Sequence, residues 1–243
     1  MTTSLLQILS LTAIPVVATI LGGTLATFRT PSARLRSFVQ HFAAGVVFAA
    51  VAGELLPEIT KGHQPLGVVI GFTLGVGLML LIRSWAERLE RAPQTASSRS
   101  GDLGLITVVG IDVLIDGLLI GVGFAAGARV GTLLVVALTL ELLFLGISVA
   151  SSLGSSGASR ASRILTVVGL SALVIIGALV GGTLLQGLSG LALEVVLSFG
   201  AAALLFLVTE ELLTEAHEVP ETPLITAAFF MGFVALYLVE LAS

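Results

Sequence analysis

Three acidic residues stand in the middle of long apolar segments, where an ionisable side chain is unusual. Asp112 and Asp116 belong to the segment GIDVLIDGLLIG, and Glu141 belongs to the later segment TLELLFLG. On a helix, a spacing of four residues places the two aspartates on one face, about 6 Å apart along the axis. The helix that carries Glu141 is predicted to be the antiparallel neighbour, joined by a short loop. The three carboxylates therefore lie at similar depth and can converge.

Charge at this depth needs a partner. An acid at the centre of a membrane-spanning helix costs about 2.5–3.5 kcal/mol on insertion scales. No Lys, Arg or His is predicted at the same depth, so no salt bridge compensates. A bound cation, protonation or a water-filled cavity remains. Carboxylate oxygens suit Mn²⁺, Mg²⁺, Fe²⁺ or Zn²⁺, which predicts a metal site of Asp112, Asp116 and Glu141. Protonated acids bonded to the backbone or to Ser and Thr are the alternative.

The composition places these acids in a membrane protein. Of 243 residues, 56% are hydrophobic and 11% are charged, and runs of about 20 apolar residues match the bilayer core. We predict an all-α integral membrane protein, with residues 1–243 forming a single transmembrane transporter domain. Residues 84–101 are predicted to form a flexible cytoplasmic loop. The eight transmembrane helices are predicted at about 4–27, 37–58, 65–83, 102–126, 131–152, 163–185, 192–214 and 222–242.

The basic residues predict an orientation and restrict the partners. Nine of the 11 Lys and Arg residues fall in the first, third and fifth predicted loops, and only Lys61 and Arg129 fall on the other side. By the positive-inside rule, both termini are expected outside the cytoplasm, in the cell (plasma or inner) membrane. No basic patch large enough to follow a nucleic-acid backbone exists, and the chain has 0 cysteines for thiolate ligation. The expected partners are the lipid bilayer and a metal ion, and a homodimer is left open.

Two segments of the chain are similar to each other. HFAAGVVFAAVAGELLPE, residues 41–58, aligns without gaps with SFGAAALLFLVTEELLTE, residues 198–215, and pairs Glu54 with Glu211. The order of this and weaker matches relates helices one to three to helices six to eight. Because helices two and seven run in opposite directions, we predict an inverted 3+2+3 repeat with helices four and five in the centre. Inverted repeats are characteristic of secondary transporters.

The sequence also contains glycine pairs that suit helix packing and candidate metal ligands near the ends of the helices. The glycine pairs Gly71/Gly75 and Gly117/Gly121 are predicted to allow close helix packing. Cations could first bind outside at the end of helix two, where the candidates are Glu54, Glu58 and His63. Imidazole binds metals readily, and a candidate release site on the inner side comprises His41, Glu211, Glu215 and His217, beside the acidic residues Glu218 and Glu221. For both sets, solvated helix ends and loops are the alternative.

The chain resembles the ZIP (Zrt/Irt-like) family of divalent metal transporters over essentially its whole length. The segment Gly53-Glu54-Leu55-Leu56-Pro57-Glu58 is similar to that family's second-helix ending, and Glu210-Glu211-Leu212-Leu213 to its seventh-helix counterpart. The family's fourth-helix signature, His-Asn-x-Pro-Glu-Gly, is replaced by Asp112-Val113-Leu114-Ile115-Asp116-Gly117. In the fifth helix Glu141 can still ligate, whereas Leu142 and Leu145 cannot. The resemblance implies eight spans, outward termini and metal ligands on helices four and five, in a divergent member that holds one metal at most.

The residues and the resemblance together predict transport of a divalent cation of the zinc, manganese or iron class, with no permanently bound cofactor. One alternative is a transporter of another substrate in which the acids relay protons, and another is a non-transporting ZIP-like homologue. An intramembrane aspartyl protease needs two Asp on facing helices that share a proton. Here the two Asp lie on one helix, so we expect no enzyme.

Overall fold

The structure, a computed structural model, describes residues 5–91, 99–185, 187–220 and 222–242. Within these ranges every regular element is helical, and eight helices are long and apolar enough to cross a membrane. The predicted all-α membrane fold is therefore confirmed. The helices are α1 (Leu5–Phe28), α2 (Ala33–Gly62), α3 (Pro65–Arg91), α4 (Arg99–Ala126), α5 (Ala128–Ser155), α6 (Arg160–Leu184), α7 (Gly190–Ala216) and α8 (Pro223–Ala242).

Several helices extend beyond their predicted apolar runs. α2 begins at Ala33, where the Leu35 amide donates to the Ser32 hydroxyl at 3.3 Å, as an N-cap does. α3 continues to Arg91 because polar residues with good helix propensity prolong it past the apolar stretch. The predicted loop 84–101 is thus helical at 84–91 and 99–101, and residues 92–98 lie outside the described residues.

The connections alternate between two ends of the bundle. The end that carries the connections after α1, α3, α5 and α7 is named the Arg-rich end, for Arg29, Arg34, Arg36, Arg83, Arg160 and Arg163. The other end, named the opposite end, carries the α2–α3, α4–α5 and α6–α7 connections. Large apolar side chains are exposed around the bundle, as a surface in contact with lipid requires, including Leu25, Leu66, Leu81, Leu165 and Phe230.

Helix pairing follows a regular pattern. α1 packs mainly against α5 and α6, α4 against α6 and α5, α2 against α8, and α3 against α7. Exchanging α1–α3 with α6–α8, and α4 with α5, leaves this set of pairs unchanged. An inverted repeat around α4 and α5 has this property, and the repeat itself stays a prediction.

The helices that carry the similar segments also share a local feature. α2 adopts π-helical geometry over Val51–Leu55, and α7 does so over Leu207–Leu212. The sequence alignment places these two stretches opposite each other. Each contains an acid at the aligned position, Glu54 in α2 and Glu211 in α7. Because π-helical turns are rare and often mark functional sites, these turns are candidates for a functional role.

The predicted glycine contacts are confirmed. A Cβ atom on Gly71 or Gly75 of α3 would collide with α7, and one on Gly117 or Gly121 of α4 would collide with backbone atoms of α6. The facing atoms are largely backbone, which cannot move aside as a side-chain end can. These glycines therefore set the close approach of α3 to α7 and of α4 to α6.

Candidate metal site

Asp112, Asp116 and Glu141 converge in the interior of the bundle. Each side chain offers a carboxylate oxygen, and the three oxygens lie within 4.8 Å of one another. Gly127 alone lies between the antiparallel helices α4 and α5, and each helix has 28 residues. The middles of the two helices, where the acids lie, are therefore at the same height in the bundle. Asp116 and Glu141 are each 2% exposed. Three potential ligand atoms therefore occupy a volume that one metal ion can fill.

Helix packing fixes the direction of these side chains. Gly117 faces α6, where a Cβ would collide with the carbonyl oxygen of Val174. Asp116, one residue earlier, projects about a quarter turn around α4, toward α5. On α5, Gly146 packs against the carbonyl of Thr19 in α1, which holds the helix that carries Glu141. The small residues on the outer faces of α4 and α5 thereby place the acids between the two helices.

Within the described residues, no lysine or arginine forms an ion pair with any of the three acids. Oδ2 of Asp116 and Oε2 of Glu141 are buried and have no hydrogen-bond partner. The side chains of Asp116 and Glu141 lie within hydrogen-bonding reach of each other. A buried carboxylate oxygen without a donor is strongly unfavourable. The arrangement is therefore suited to a cation, or to protons, held between the carboxyl groups.

A cavity of about 430 Å³ connects the acids with the Arg-rich end. Asp112 and Glu141 lie on its wall, and Asp116 lies one helical turn further from the mouth. The polar lining near the mouth comes from the ends of α3 and α7 and comprises Arg83, Glu87, Glu210, Glu211 and Glu215. A cavity with several charged side chains in its lining thus leads from the Arg-rich end to the buried carboxylates.

Toward the opposite end, the bundle is tightly packed. Ile120 and Leu138 are 0% exposed and Leu134 is 1% exposed. These side chains follow Asp116 along α4 and precede Glu141 along α5, and they belong to one continuous apolar core. Among the described residues, these buried apolar side chains lie between the carboxylates and the opposite end of the bundle.

The residues of the predicted release site divide into two groups. Glu211 and Glu215 line the cavity, and the Gln40 amide donates to Glu215 Oε2 at 2.6 Å. His41 and His217 lie against each other instead, with ring centroids 5.1 Å apart and near-perpendicular planes. The His41 ring is 3% exposed, and its Nδ1 lies 2.9 Å from the carbonyl oxygen of Ser37. Glu218 is exposed, and Glu221 lies outside the described residues.

The residues predicted to bind cations first at the end of α2 do not converge on one point. Glu54 Oε1 accepts from Arg129 Nε at 3.1 Å, and Glu58 Oε2 accepts from Lys61 Nζ at 2.7 Å. His63 follows the last residue of α2 in the left-handed conformation, with φ 52°. Both acids of this set, Glu54 and Glu58, thus have basic partners.

Two further features escaped the sequence reasoning. Arg83 forms an ion pair with Glu210 beside the cavity mouth, and no sequence pattern connects residues on two separate helices. Glu194 of α7 is 3% exposed, and its Oε1 has no hydrogen-bond partner. The signal for Glu194 was present, because it is an isolated acid within an apolar helix.

The fold and the site define a multi-pass membrane protein with a buried carboxylate cluster at the deep end of a cavity. No family model matches the sequence. The chain is 30% identical to the zinc transporter ZIPB of Bordetella bronchiseptica over 244 aligned positions, which cover 93% of this chain and 77% of that protein. The chain therefore belongs to the ZIP family.

A second match covers less. The tRNA N6-adenosine threonylcarbamoyltransferase of Cereibacter sphaeroides is 38% identical over 102 residues, which is 40% of this chain and 27% of that protein. A match to so small a part of the enzyme carries no argument about this chain. The ZIP relationship, by contrast, covers 93% of this chain.

Proposed function

We propose that the protein carries a divalent cation of the zinc, manganese or iron class across the membrane, through a site formed by Asp112, Asp116 and Glu141. Membership of the ZIP family and the eight apolar helices support divalent metal transport in general. The proposal that these three residues form the site rests on one observation. Their carboxylate oxygens lie within 4.8 Å of one another, and none has a basic partner among the described residues. Three negative charges so close together require a compensating cation or protonation.

The cavity supplies the route. Glu211 and Glu215 lie on its wall between the mouth and the buried acids, so a hydrated cation meets negative charge before it reaches Asp112. The opposite side of the site is closed by apolar packing. Transport then requires a second state in which the polar route opens toward the opposite end and the present mouth closes, as alternating access demands.

The ligand set favours a broad choice of ions. Zinc is the substrate named for the Bordetella relative, and zinc accepts carboxylate oxygens at about 2.0–2.2 Å. A site of carboxylates alone, however, lacks the imidazole nitrogen that favours zinc over harder ions. We therefore propose that Mn²⁺ or Fe²⁺ competes effectively with Zn²⁺ here. The absence of proline from the centres of α4 and α5 supports this ligand set, since the unbroken helices keep their carbonyls bonded internally.

The test is metal uptake into proteoliposomes that contain the full-length protein, measured for Zn²⁺, Mn²⁺ and Fe²⁺. Asp112→Asn and Glu141→Gln preserve side-chain shape and remove one charge each. We expect either change to reduce saturable uptake by about tenfold or more, because a ligand to the cation is lost. Glu240→Gln, an acid at the opposite end, serves as the matched control. Unchanged uptake in both site variants would refute the assignment of the site.

A proton relay is the second candidate, and one observation favours it. Asp116 and Glu141 lie within hydrogen-bonding reach of each other, an arrangement that suits a shared proton. A pH-sensitive dye trapped inside the same proteoliposomes distinguishes the two functions. Proton flux that depends on Asp116 and Glu141, without any saturable metal signal, would identify the relay. Saturable metal uptake that these residues control supports the metal carrier.

A further inference from the structure

A second pocket lies at the opposite end of the bundle. It is a groove of about 580 Å³ between the end of α2, the start of α3 and the start of α7. Most of its wall is apolar. The polar groups in the lining are few and come from two short stretches of chain: Thr60, His63, Gln64 and Glu194.

Glu194 is the unusual member of this group. The residue is 3% exposed, and its Oε1 atom has no hydrogen-bond partner. Among the described titratable residues, His63 and Glu58 interact electrostatically with its carboxylate. Lys61, which is nearby in sequence, pairs with Glu58 instead. A buried carboxylate oxygen that faces a groove without a donor is a strong indication of a missing ligand.

Two glycines leave the space that the Glu194 side chain occupies. A Cβ on Gly62, the last residue of α2, would collide with Oε2 of Glu194. A Cβ on Gly67 of α3 would lie 2.8 Å from the Cβ of Glu194. The carboxylate therefore lies directly against the C-terminal end of α2.

That position is electrostatically unfavourable for a bare carboxylate. The last four carbonyl groups of a helix have no intrahelical partner, and the C-terminal end carries partial negative charge. His63 follows immediately and ends the helix in the left-handed conformation. A cation between the carboxylate and the helix end would relieve the repulsion, and the imidazole of His63 supplies a nitrogen ligand.

We propose that Glu194 and His63, with carbonyl oxygens at the end of α2, form a second divalent-cation site. It goes beyond the proposed transport site, because it uses other residues at the other end of the bundle. Its mixed nitrogen and oxygen ligands suit Zn²⁺ or its spectroscopic substitute Co²⁺. Glu58 lies nearby and pairs with Lys61, whose side chain is 71% exposed. Because such exposed ion pairs are weak, Glu58 still contributes negative charge near the proposed site.

The test measures Zn²⁺ binding to the full-length purified protein by competition with a fluorescent chelator. All variants carry Asp112→Asn, Asp116→Asn and Glu141→Gln, which remove all three central ligands, so that failure of the second site and failure of the transport site are distinguished. We expect this background to retain one Zn²⁺ site per chain. Its Co²⁺ complex should show visible absorption bands of mixed nitrogen and oxygen ligation. A background without any Zn²⁺ site would overturn the proposal.

Three further substitutions, each added to the variant without central ligands, then test which residues bind Zn²⁺ at the second site. Glu194→Gln and His63→Gln each remove a ligand, and we expect each to weaken Zn²⁺ binding by about tenfold or more. Gly62→Ala keeps both ligands but places a methyl group where Oε2 of Glu194 lies, so it should weaken binding too. Gly77→Ala is the matched control, since no atom lies within 4 Å of the added methyl group.

Two results would contradict the assignment. One is Zn²⁺ affinity that stays within about twofold in both Glu194→Gln and His63→Gln, because loss of a true ligand changes the binding free energy by much more. The other is equal affinity in Gly62→Ala and Gly77→Ala. Size-exclusion chromatography and thermal melting confirm that each variant is folded. If Glu194→Gln does not fold, His63→Gln and Gly62→Ala decide the question.

Discussion

Arg83 of α3 forms an ion pair with Glu210, which lies in the π-helical turn of α7, beside the mouth of the cavity. A similar pair lies at the opposite end, where Arg129 of α5 donates to Glu54 in the π-helical turn of α2. In each π-helical turn, a glutamate thus forms an ion pair with an arginine of another helix. The two pairs lie at opposite ends of the bundle, where the proposed transport cycle requires openings.

Neutralising Arg83 is expected to increase the apparent affinity for the transported cation. Arg83→Gln leaves Glu210 as an unpaired negative charge beside the mouth, which attracts cations more strongly. We expect a KM that is lower by a few-fold at low ionic strength, with the difference fading at high salt because exposed charges are screened. Uptake kinetics at two salt concentrations measure this. Arg34→Gln, at the same end but outside the cavity lining, should leave KM unchanged.

Arg129 and Glu54 are expected to be energetically coupled. The Glu54 side chain is 10% exposed and that of Arg129 is 53% exposed, so the coupling should be about 0.5–1 kcal/mol rather than that of a buried pair. Arg129→Gln and Glu54→Gln should each lower the thermal stability, and the double variant should lose less than the sum. Chromatographic melting curves of the four proteins provide the measurement. Strict additivity would exclude a significant contribution from this pair.

Gly117→Ala should be much more damaging than Gly77→Ala. The added methyl group at Gly117 collides with backbone atoms of Val174, so α4 and α6 must separate, at a cost of about 1–3 kcal/mol. At Gly77 no atom lies within 4 Å, and the better helix propensity of alanine should make the change neutral or slightly stabilising. Thermal melting in detergent compares the two variants. Equal melting temperatures would contradict the packing described for α4 and α6.

Asp112→His should shift ion selectivity toward zinc. Imidazole is a softer ligand than carboxylate, and zinc benefits from it more than manganese does. We expect the ratio of Zn²⁺ to Mn²⁺ uptake, measured in competition, to rise above that of the unmodified protein. Asp112→Glu retains a carboxylate and is the control. An unchanged ratio in Asp112→His would show that Asp112 does not ligate the cation in transport.

The predicted orientation can be tested because the chain has 0 native cysteines. Thr60→Cys places a thiol at the opposite end, and Ser155→Cys places one at the Arg-rich end, at positions that are both exposed. If the Arg-rich end faces the cytoplasm, a membrane-impermeant thiol reagent should label Thr60→Cys in intact cells. Ser155→Cys should react only after permeabilisation. The reverse pattern would invert the topology.

The number of membrane-spanning helices could be predicted from the sequence because the bilayer thickness fixes the minimum length of an apolar run. The predicted ends were less accurate, as at Arg91 of α3, because helix propensity continues where hydrophobicity stops. The convergence of Asp112 and Asp116 with Glu141 followed from the four-residue spacing and from the short connection at Gly127. All these inferences concern position along a helix axis, which a constant rise per residue determines.

The lateral arrangement was decided by the tertiary structure alone. Helices that are apolar on every side carry little information about which face meets which neighbour. The ion pair of Arg83 with Glu210, and the approach of Glu194 to Gly62, join residues that are distant in sequence. The sequence therefore determined the position of each charged residue along its helix. Three-dimensional packing, set by close backbone contacts such as that of Gly117 with Val174, decided its partners.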